Sequence, residues 1–472
     1  MVGRSPKTMT RGKRETKSRE TGLQQHRSAG AGFALWYMMA LLALAIIVSY
    51  LDRGVIAVLV PSLKRDFALS DVDVSLVQGI AFSLPFALAS LPVGRFVDHY
   101  SRRNIIIAGI VVWSLATILC GTSASFWQLF AARAGIGIGE ACLQPAGYSM
   151  IADSFRAERR GRAMSMLTVA TSLGGGASAL IGGALLTMWS GSDTVVLPLA
   201  GEVATWRAVF LVAGLPGFVV ALLMLFVREP ARQAPATTAP TAPRTGDFAG
   251  HLRRNWRLFV PLYLGFSLVF FFSYAVALWS PTVLLRTYGY TAGSAGMTAG
   301  SFQLVGSISG ALLAGVFGDI LVARDARYGR LRVWMIGLVP ALVAGVFLAL
   351  PGARFYVVGI GLAIFASGLL TAASFATLYD AVAPNMRGRS LAVYLFLGNV
   401  LGLGGGTFGV ALITEHVLHD PKLINYAVAI AVGGASLLAT VMGFAMRGRY
   451  EDARLTYQQD NAGATTAAGS RD

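Results

Sequence analysis

The sequence predicts an all-α membrane protein with twelve transmembrane helices in two six-helix halves, for three reasons. First, 55% of the residues are apolar and 13% charged, and the mean hydropathy of +0.62 is higher than soluble domains show. Second, twelve apolar runs reach the roughly 20 residues that cross a bilayer as a helix. Third, Lys and Arg are concentrated in alternate connecting segments, as expected of a chain that crosses a membrane repeatedly.

The apolar runs give the predicted helices in chain order. Helices 1 to 6 cover residues 34–60, 74–96, 104–122, 126–152, 162–188 and 206–227. Helices 7 to 12 cover residues 258–285, 295–318, 331–350, 355–380, 389–414 and 424–446. Each run is mostly apolar and is bounded by polar or charged residues, which is typical of a membrane-spanning helix.

Five predicted regions follow from these runs. They are a basic tail (1–33), an N-terminal bundle (34–227), a linker (228–257), a C-terminal bundle (258–446) and a second tail (447–472). The linker is rich in Pro, Ala and Thr up to residue 248, which favours a flexible connection. Its basic and aromatic end is expected to lie along the membrane surface before helix 7 begins.

Positive charges predict the orientation. Of the 39 Lys and Arg residues, 31 fall in the tails, the linker and loops 2–3, 4–5, 8–9 and 10–11 or at the helix ends that border them, and six fall in or next to the remaining loops. The other two, Arg53 and Arg133, lie within helices. Because cytoplasmic segments carry the excess, both termini are predicted to be cytoplasmic. We expect an integral multi-pass protein of a bacterial inner (plasma) membrane. The basic residues form no single patch, so we expect no nucleic-acid partner despite a net charge of +16.

Two segments recur in both halves. GRFVDHYSRR (94–103) at the end of helix 2 matches GVFGDILVAR (315–324) at the end of helix 8, and RRGRAMSM (159–166) matches MRGRSLAV (386–393). The chain therefore contains two six-helix units of similar layout in tandem. Transporters use this arrangement to build a binding site between the repeats.

Four ionisable residues, Asp52, Arg53, Arg133 and Glu140, lie at membrane depth on helices 1 and 4. At 1.5 Å per residue, the first three lie about 10–13 Å below the outer helix ends, and Glu140 lies deeper, near the midplane. Charges at this depth are costly and mark a functional site by default. They sum to zero, so the bundle can bury them as neutralised pairs or as a network. The alternative is that they only fix helices 1 and 4 together.

The residue types at this depth suggest distinct roles. Arg53 and Arg133 would donate hydrogen bonds to an anionic headgroup, either a phosphate or a carboxylate. Asp52 and Glu140 would carry the coupled proton. The second half has few charges at depth, and we expect its polar and aromatic side chains to line the apolar side of the cavity: Tyr274, Ser374 and Asn399. This division suits an amphipathic substrate.

The motif Gly-x-x-x-Asp followed by basic residues in loop 2–3, with a degenerate copy in loop 8–9, resembles the signature loop of the major facilitator superfamily. The resemblance covers about residues 34–447. Within that family, SYLDRGVIAVLVPSL (49–63) and RAGIGIGEACLQPAGYSMIADSF (133–155) are similar to Spinster-type lipid transporters. The resemblance implies a twelve-helix fold and alternating access, and proton coupling in many members. Animal Spinster relatives are associated with lysolipids and sphingoid phosphates.

The resemblance also implies an inner gate in loop 2–3 and its surroundings. There Asp98 would act as a latch that pairs with basic groups across the gate in the outward-facing state. The remaining gate residues, including those that would extend the ion-pair layer, are Gly94, Arg102, Arg103, Asp153 and Arg162. The alternative is that these charges are solvated topology signals. The basic cluster after Asp319 is thin, so a symmetric second latch is not expected.

The function expected from the sequence is secondary active, proton-coupled transport of an amphipathic or lipid-like organic anion. One alternative is a small organic acid symporter or drug exporter of the same fold, and another is a membrane sensor that does not transport. We expect no enzyme, because the five histidines lie in the tail, in loops or at a helix end. We also expect a monomer with no cofactor and no metal, whose partners are substrate, proton and bilayer.

Overall fold

The computed structural model describes residues 33–155, 157–189, 194–198, 201–232, 246–324, 328–382 and 386–469. Within them, eleven helices are long and apolar enough to cross a membrane. The twelfth is helix 4, which is divided into two segments that are each too short to be counted as a span. The predicted twelve-helix fold is thereby confirmed.

The first half contains helices 1 to 6 and a short hairpin. Helix 1 is Phe33–Phe67 and helix 2 is Asp71–His99. They are followed by Arg102–Thr122 (helix 3), Phe126–Glu140 with Leu143–Ser154 (helix 4), Ala157–Met188 (helix 5) and Thr205–Met224 (helix 6). Between helices 5 and 6, strands β1 (Thr194–Leu197) and β2 (Gly201–Ala204) pair antiparallel, which the sequence did not predict.

The second half begins with a short linker helix, Gly246–Arg254. Helices 7 to 10 are Trp256–Arg286, Ala292–Ala323, Gly329–Ala349 and Ala353–Asp380. Helix 11 is Arg387–Leu418, and helix 12 is Ile424–Gly469 after a 3₁₀ turn at Pro421–Leu423. Helix 12 therefore continues past residue 446, where we expected a tail.

Hydroxyl side chains at the membrane surfaces fix several helix starts. Ser70, Ser101, Ser125 and Thr291 each accept a hydrogen bond from a backbone N–H in the first turn of helices 2, 3, 4 and 8. These bonds satisfy donors that have no partner inside the helix. Ser70 forms a complete capping box with Asp73, which explains why helix 2 begins three residues before the predicted start.

Four membrane helices depart from regular α-geometry, and three of these departures lie close to the buried charges. Helix 1 has a turn at Tyr50, and helix 4 is interrupted between Glu140 and Leu143. Helices 2 and 11 contain π-helical turns at Leu76–Ile80 and Gly398–Gly404. Wide turns of this kind are frequent at functional sites, because they free backbone groups and redirect side chains.

We name the two ends of the bundle inner and outer after the predicted orientation. At the outer end the halves are in close contact. A Cβ added at Gly296 of helix 8 would lie 2.8 Å from the Ala179 carbonyl of helix 5, and one at Gly79 of helix 2 would lie 2.8 Å from the Leu403 carbonyl of helix 11. The missing side chains let the backbones touch, as in other small-residue membrane contacts. The outer end is closed.

At the inner end the same helices are separated. A Cβ added at Gly94 of helix 2 or Gly315 of helix 8 would meet no atom within 4 Å among the described residues. The Asp319 side chain, near the inner end of helix 8, is 81% exposed. The structure is therefore inward-facing, with the interface between the halves open on the inner side.

Candidate functional site

An ion pair between helices 1 and 4 lies at the centre of the first half. Arg53 donates to the Glu140 carboxylate in a short contact, with the arginine side chain 12% exposed and the glutamate side chain 3% exposed. Burial removes both charges from water, and pairing is what makes this tolerable. The turn at Tyr50 lies just before Arg53, and helix 4 ends its first segment at Glu140.

Aromatic rings complete the surroundings of the two arginines. The Arg53 guanidinium lies 4.3 Å from the ring centre of Phe82 and 4.6 Å from that of Tyr50. Arg133 is 1% exposed, and its guanidinium lies 5.7 Å from the same Phe82 ring. Cation–π contacts of this kind stabilise a desolvated guanidinium. Helix 2 thus contributes a ring that touches both cations.

Arg133 is also held by the π-turn of helix 2. Its Nε donates to the Val77 carbonyl at 3.2 Å, and Val77 lies inside that turn. A wide turn displaces carbonyls from the regular ladder, so they become available to a side chain. The irregular backbone of helix 2 therefore serves the charge cluster directly.

The sequence predicted Arg53 level with Arg133, and Glu140 deeper, near the midplane. The structure adds contacts that this prediction did not include, because Arg53 reaches Glu140 and shares the Phe82 ring with Arg133. Arg133 and Glu140 lie seven residues apart on one continuous helix segment, Phe126–Glu140, so the long arginine side chains are what join the three charges into one cluster. The Asp52 side chain lies outside the described residues.

A cavity opens beside this charge cluster. It holds about 620 Å³ of empty space with its mouth included. Tyr50, Arg53 and Ser178 line it from the first half, and Tyr274 and Gln303 from the second; most of its other lining residues are small or apolar. The cavity therefore offers a cation, several hydrogen-bonding groups and an apolar wall in one space.

The two other residues expected to bind substrate from the second half are engaged elsewhere. Ser374 is fully buried, accepts a hydrogen bond from Trp334 at 3.0 Å and donates to the Leu370 carbonyl. Asn399 is half-buried and donates to the Leu395 carbonyl within helix 11. Neither lines the cavity described above, because both polar groups serve packing within the second half.

The predicted inner-gate residue Arg102 forms a clamp inside the first half. It is 1% exposed, forms a short contact with Asp153 at the end of helix 4, and bonds Glu229 after helix 6 at 3.1 Å. Its guanidinium also donates to the Pro230 carbonyl at 2.6 Å. Arg102 therefore ties helices 3 and 4 to the start of the linker rather than bridging the two halves.

Glu229 is the acidic end of this clamp and lies outside the membrane spans. Burial would raise the pKa of its carboxyl, but hydrogen bonds from Ser101 and from the backbone and side chain of Arg102 outweigh that effect. The pKa of Glu229 therefore lies below its ordinary value. The clamp stays charged at neutral pH.

The other predicted gate residues surround the open inner end. Arg103 donates to the Leu225 carbonyl at 3.2 Å, and Asp98 is exposed. Within the described residues, no ion pair involves the Asp98 carboxylate, whereas its backbone carbonyl accepts a hydrogen bond from Arg232. Gly94 stands in open space. The side chain of Arg162 lies outside the described part of the chain.

Sequence reasoning missed a polar lock at the outer end. Asp71, 1% exposed, accepts two hydrogen bonds from Arg286 of helix 7 at 2.8 and 2.9 Å, and one from Lys64 at 2.7 Å. Glu415 of helix 11 accepts from the Val72 N–H at 3.0 Å. In the sequence, each of these residues is indistinguishable from an ordinary charged residue of a loop. The only signal for a contact was that loops 1–2 and 7–8 carry charges of opposite sign. We call these contacts the outer lock.

Within the described residues, no group of three or more His, Cys, Asp or Glu side chains could hold a metal ion.

The pattern of the Major Facilitator Superfamily matches residues 42–406. The chain belongs to the major facilitator superfamily. It is therefore a secondary transporter and an integral multi-pass membrane protein, and the resemblance of its loop 2–3 to this family is confirmed.

Individual relatives within the superfamily indicate which type of transporter the chain resembles. The chain is 26% identical to an MFS-type efflux pump of Mycolicibacterium smegmatis, over 88% of this chain and 93% of the relative. It is 28% identical to human protein spinster homolog 1, over 91% of this chain and 83% of the relative. An inward-facing, unoccupied structure of a bacterial Spinster homologue superposes with a TM-score of 0.71 at 24% identity, covering 90% and 98% of the two chains. The Spinster-type resemblance is thereby confirmed.

Proposed function

We propose that this transporter moves an amphipathic or lipid-like organic anion by alternating access and couples that movement to protons. The observation that carries the proposal is the Arg53–Glu140 pair, buried beside Arg133 where a cavity meets the closed outer end. The lipid-like substrate class is suggested by the resemblance to Spinster-type transporters, and the chain is 28% identical to human protein spinster homolog 1. We place the protein in a bacterial inner membrane with both termini cytoplasmic, on the basis of the Lys and Arg distribution.

The proposed coupling follows from competition for one arginine. An anionic substrate that takes hydrogen bonds from Arg53 draws them away from Glu140. The carboxylate would then lose hydrogen bonds from Arg53 while it stays buried, which is unfavourable, and taking up a proton removes the charge. Substrate binding and protonation are thereby linked through the same pair, and Asp52 is a second candidate for the proton.

The apolar wall of the cavity and the exposed helices 5 and 8 favour an amphipathic substrate. Among the described membrane-spanning helices, helices 5 and 8 are the least buried. Only 33% of the residues in the most apolar segment of helix 5, and 22% in that of helix 8, are buried inside the protein. Helices 5 and 8 face each other across the interface between the two halves, and they separate at the inner end. An alkyl chain can lie along such a surface while its headgroup reaches Arg53.

Flux measurements in proteoliposomes test the proposal. We expect an imposed pH gradient to drive transport of lysophosphatidic acid, and Glu140→Gln to remove that dependence. Arg53→Lys should weaken apparent affinity by about tenfold, the equivalent of one hydrogen bond to a charged group. Glu202→Gln, on the exposed outer hairpin, is the control.

Three results would contradict parts of the proposed function. Full pH-driven flux in Glu140→Gln would rule out its role in coupling. Flux of small carboxylates or cationic drugs, without flux of the lysolipid, would favour the organic acid symporter or the drug exporter. Binding without any flux would indicate a sensor.

A further inference from the structure

The amide of Gln78 is a described polar group beside the charge cluster to which the proposed function gives no role. Gln78 lies in the π-turn of helix 2 and is 1% exposed. Neither its Nε2 nor its Oε1 has a hydrogen-bond partner within the described residues. Buried polar groups are nearly always satisfied, so such an exception calls for an explanation.

Gln78 lies between the charge cluster and the closed outer end. The carbonyl of Val77, the preceding residue, accepts from Arg133, and the following residue, Gly79, touches helix 11. Phe82, four residues further on, carries both arginines against its ring. Residues four apart on a helix share a face, so Gln78 follows the Phe82 layer toward the outer end.

The next residue, Gly79, contacts the backbone of Leu403 and Gly404 in the other half, so the contact between helices 2 and 11 lies directly beside the buried amide. Separation of helices 2 and 11, which alternating access requires, opens that contact and gives the amide room to meet a substrate. A polar group that lacks a hydrogen bond in one state and can form one in another stabilises the second state. A ligand that supplies this hydrogen bond therefore binds preferentially to the second state.

We propose that Gln78 is a further substrate-binding residue, which contacts the headgroup when the outer end opens and selects anions that carry a hydroxyl or amine beside the charge. The inference rests on the proposed function and assigns the substrate a second polar group. Arg53 and Arg133 supply donors only, as an anion requires. An amide supplies a donor and an acceptor together, which matches a group that both donates and accepts.

The test compares wild type with Gln78→Met, which keeps the length and volume of the side chain and removes both polar atoms. The probes are 1-oleoyl lysophosphatidic acid and its analogue without the glycerol hydroxyl. We expect purified wild type to bind the hydroxylated probe at least about tenfold more tightly, because an unmatched buried amide is costly. Gln78→Met should bind the two probes equally.

Thermal unfolding without ligand separates function from folding. Gln78→Met removes two unsatisfied polar atoms, so its melting temperature should equal or exceed that of wild type. Gln128→Met, at the exposed start of helix 4, is the control and should discriminate as wild type does.

The outcomes distinguish this inference from the function on which it rests. Equal binding of the two probes by wild type, or unchanged discrimination in Gln78→Met, would overturn the role of Gln78 and leave the anion transporter intact. A lower melting temperature in Gln78→Met would show a structural role and also overturn it. Binding of neither probe by wild type would overturn both.

Discussion

Arg53 and Glu140 are buried together, and their pairing is what allows a membrane interior to hold both charges. Removing one partner of such a pair would leave the other buried and uncompensated, at a cost of about 3–5 kcal/mol in the free energy of unfolding. A transporter benefits from this penalty, because substrate and proton can each relieve it. The sequence identified both residues from charge in an apolar run, but only the fold shows which arginine meets the glutamate.

Glu229 provides a residue-scale prediction with a defined pH dependence. Its pKa is depressed in the folded protein, so its stabilising contribution is present above the ordinary carboxyl pKa and is lost as the pH falls through the lower folded value. Glu229→Gln should therefore melt below wild type at pH 7, and the difference should shrink only below about pH 4.

Thermal unfolding in detergent between pH 3.5 and 8 measures this difference. Transport assays on the same variant should show the pH profile of wild type, because Glu229 keeps its charge throughout the range in which coupling operates. A melting difference that is already absent at pH 6 would contradict the depressed pKa.

At the scale of elements, the irregular turns of helices 2 and 11 lie against each other. Gly79 and Gly404 allow this approach, and Thr407 of helix 11 donates to the Ser75 carbonyl of helix 2 at 3.5 Å. Hydropathy predicted both helices as uninterrupted spans. It could not predict the π-turns, because these depend on which neighbouring groups take up the freed backbone atoms.

Gly79→Ala tests whether this contact keeps the outer end closed. The new Cβ would lie 2.8 Å from the Leu403 carbonyl, so helices 2 and 11 must separate on the outer side. Spin labels on cysteines introduced at Arg65 and Val417, with the two native cysteines replaced, should report a longer distance. Gly434→Ala is the matched control, because a Cβ there meets no described atom within 4 Å.

The control also corrects for helix propensity, since both substitutions replace a helical glycine by alanine. Distances in Gly79→Ala that match those of Gly434→Ala would show that the contact can relax locally without moving the helices apart.

At the scale of the molecule, the outer lock holds the halves in the inward-facing arrangement. Asp71 has one partner in each half, Lys64 in its own and Arg286 across the interface. At the inner end, Arg102 binds only the first half and the start of the linker among the described contacts. Among the described residues, the polar contacts between the halves are therefore concentrated at the outer end, as the inward-facing state requires.

Arg286→Gln should shift the population toward the outward-facing state. Hydrogen bonds between charged groups contribute about 1.5–3 kcal/mol, which corresponds to a shift of roughly 10- to 150-fold in the equilibrium. The spin-label distance between positions 65 and 417 again measures the outcome. Lys64→Gln is the matched control, because it removes a bond to the same carboxylate without crossing the interface, and its distance distribution should stay near that of wild type.

An equal shift in the two variants would show that Asp71 acts through its own loop. No shift in either would show that the glycine contacts alone close the outer end.

The sequence by itself determined the class of the protein, the twelve crossings, the repeat of the halves and the depth at which charges are unusual. These features are local, because hydropathy over about 20 residues and the placement of Lys and Arg depend on neighbours along the chain. A local pattern of the same kind, a charged residue inside an apolar run, identified Arg53, Arg133 and Glu140 as candidate functional residues.

Only the tertiary structure decided which of these residues meet and which state the molecule occupies. The Arg53–Glu140 contact joins positions 87 apart, and the lock between Asp71 and Arg286 joins positions 215 apart. Both depend on the packing and bending of helices, which no local pattern encodes. The inward-facing state is likewise a balance of contacts between two halves, so it follows from their packing and not from either half alone.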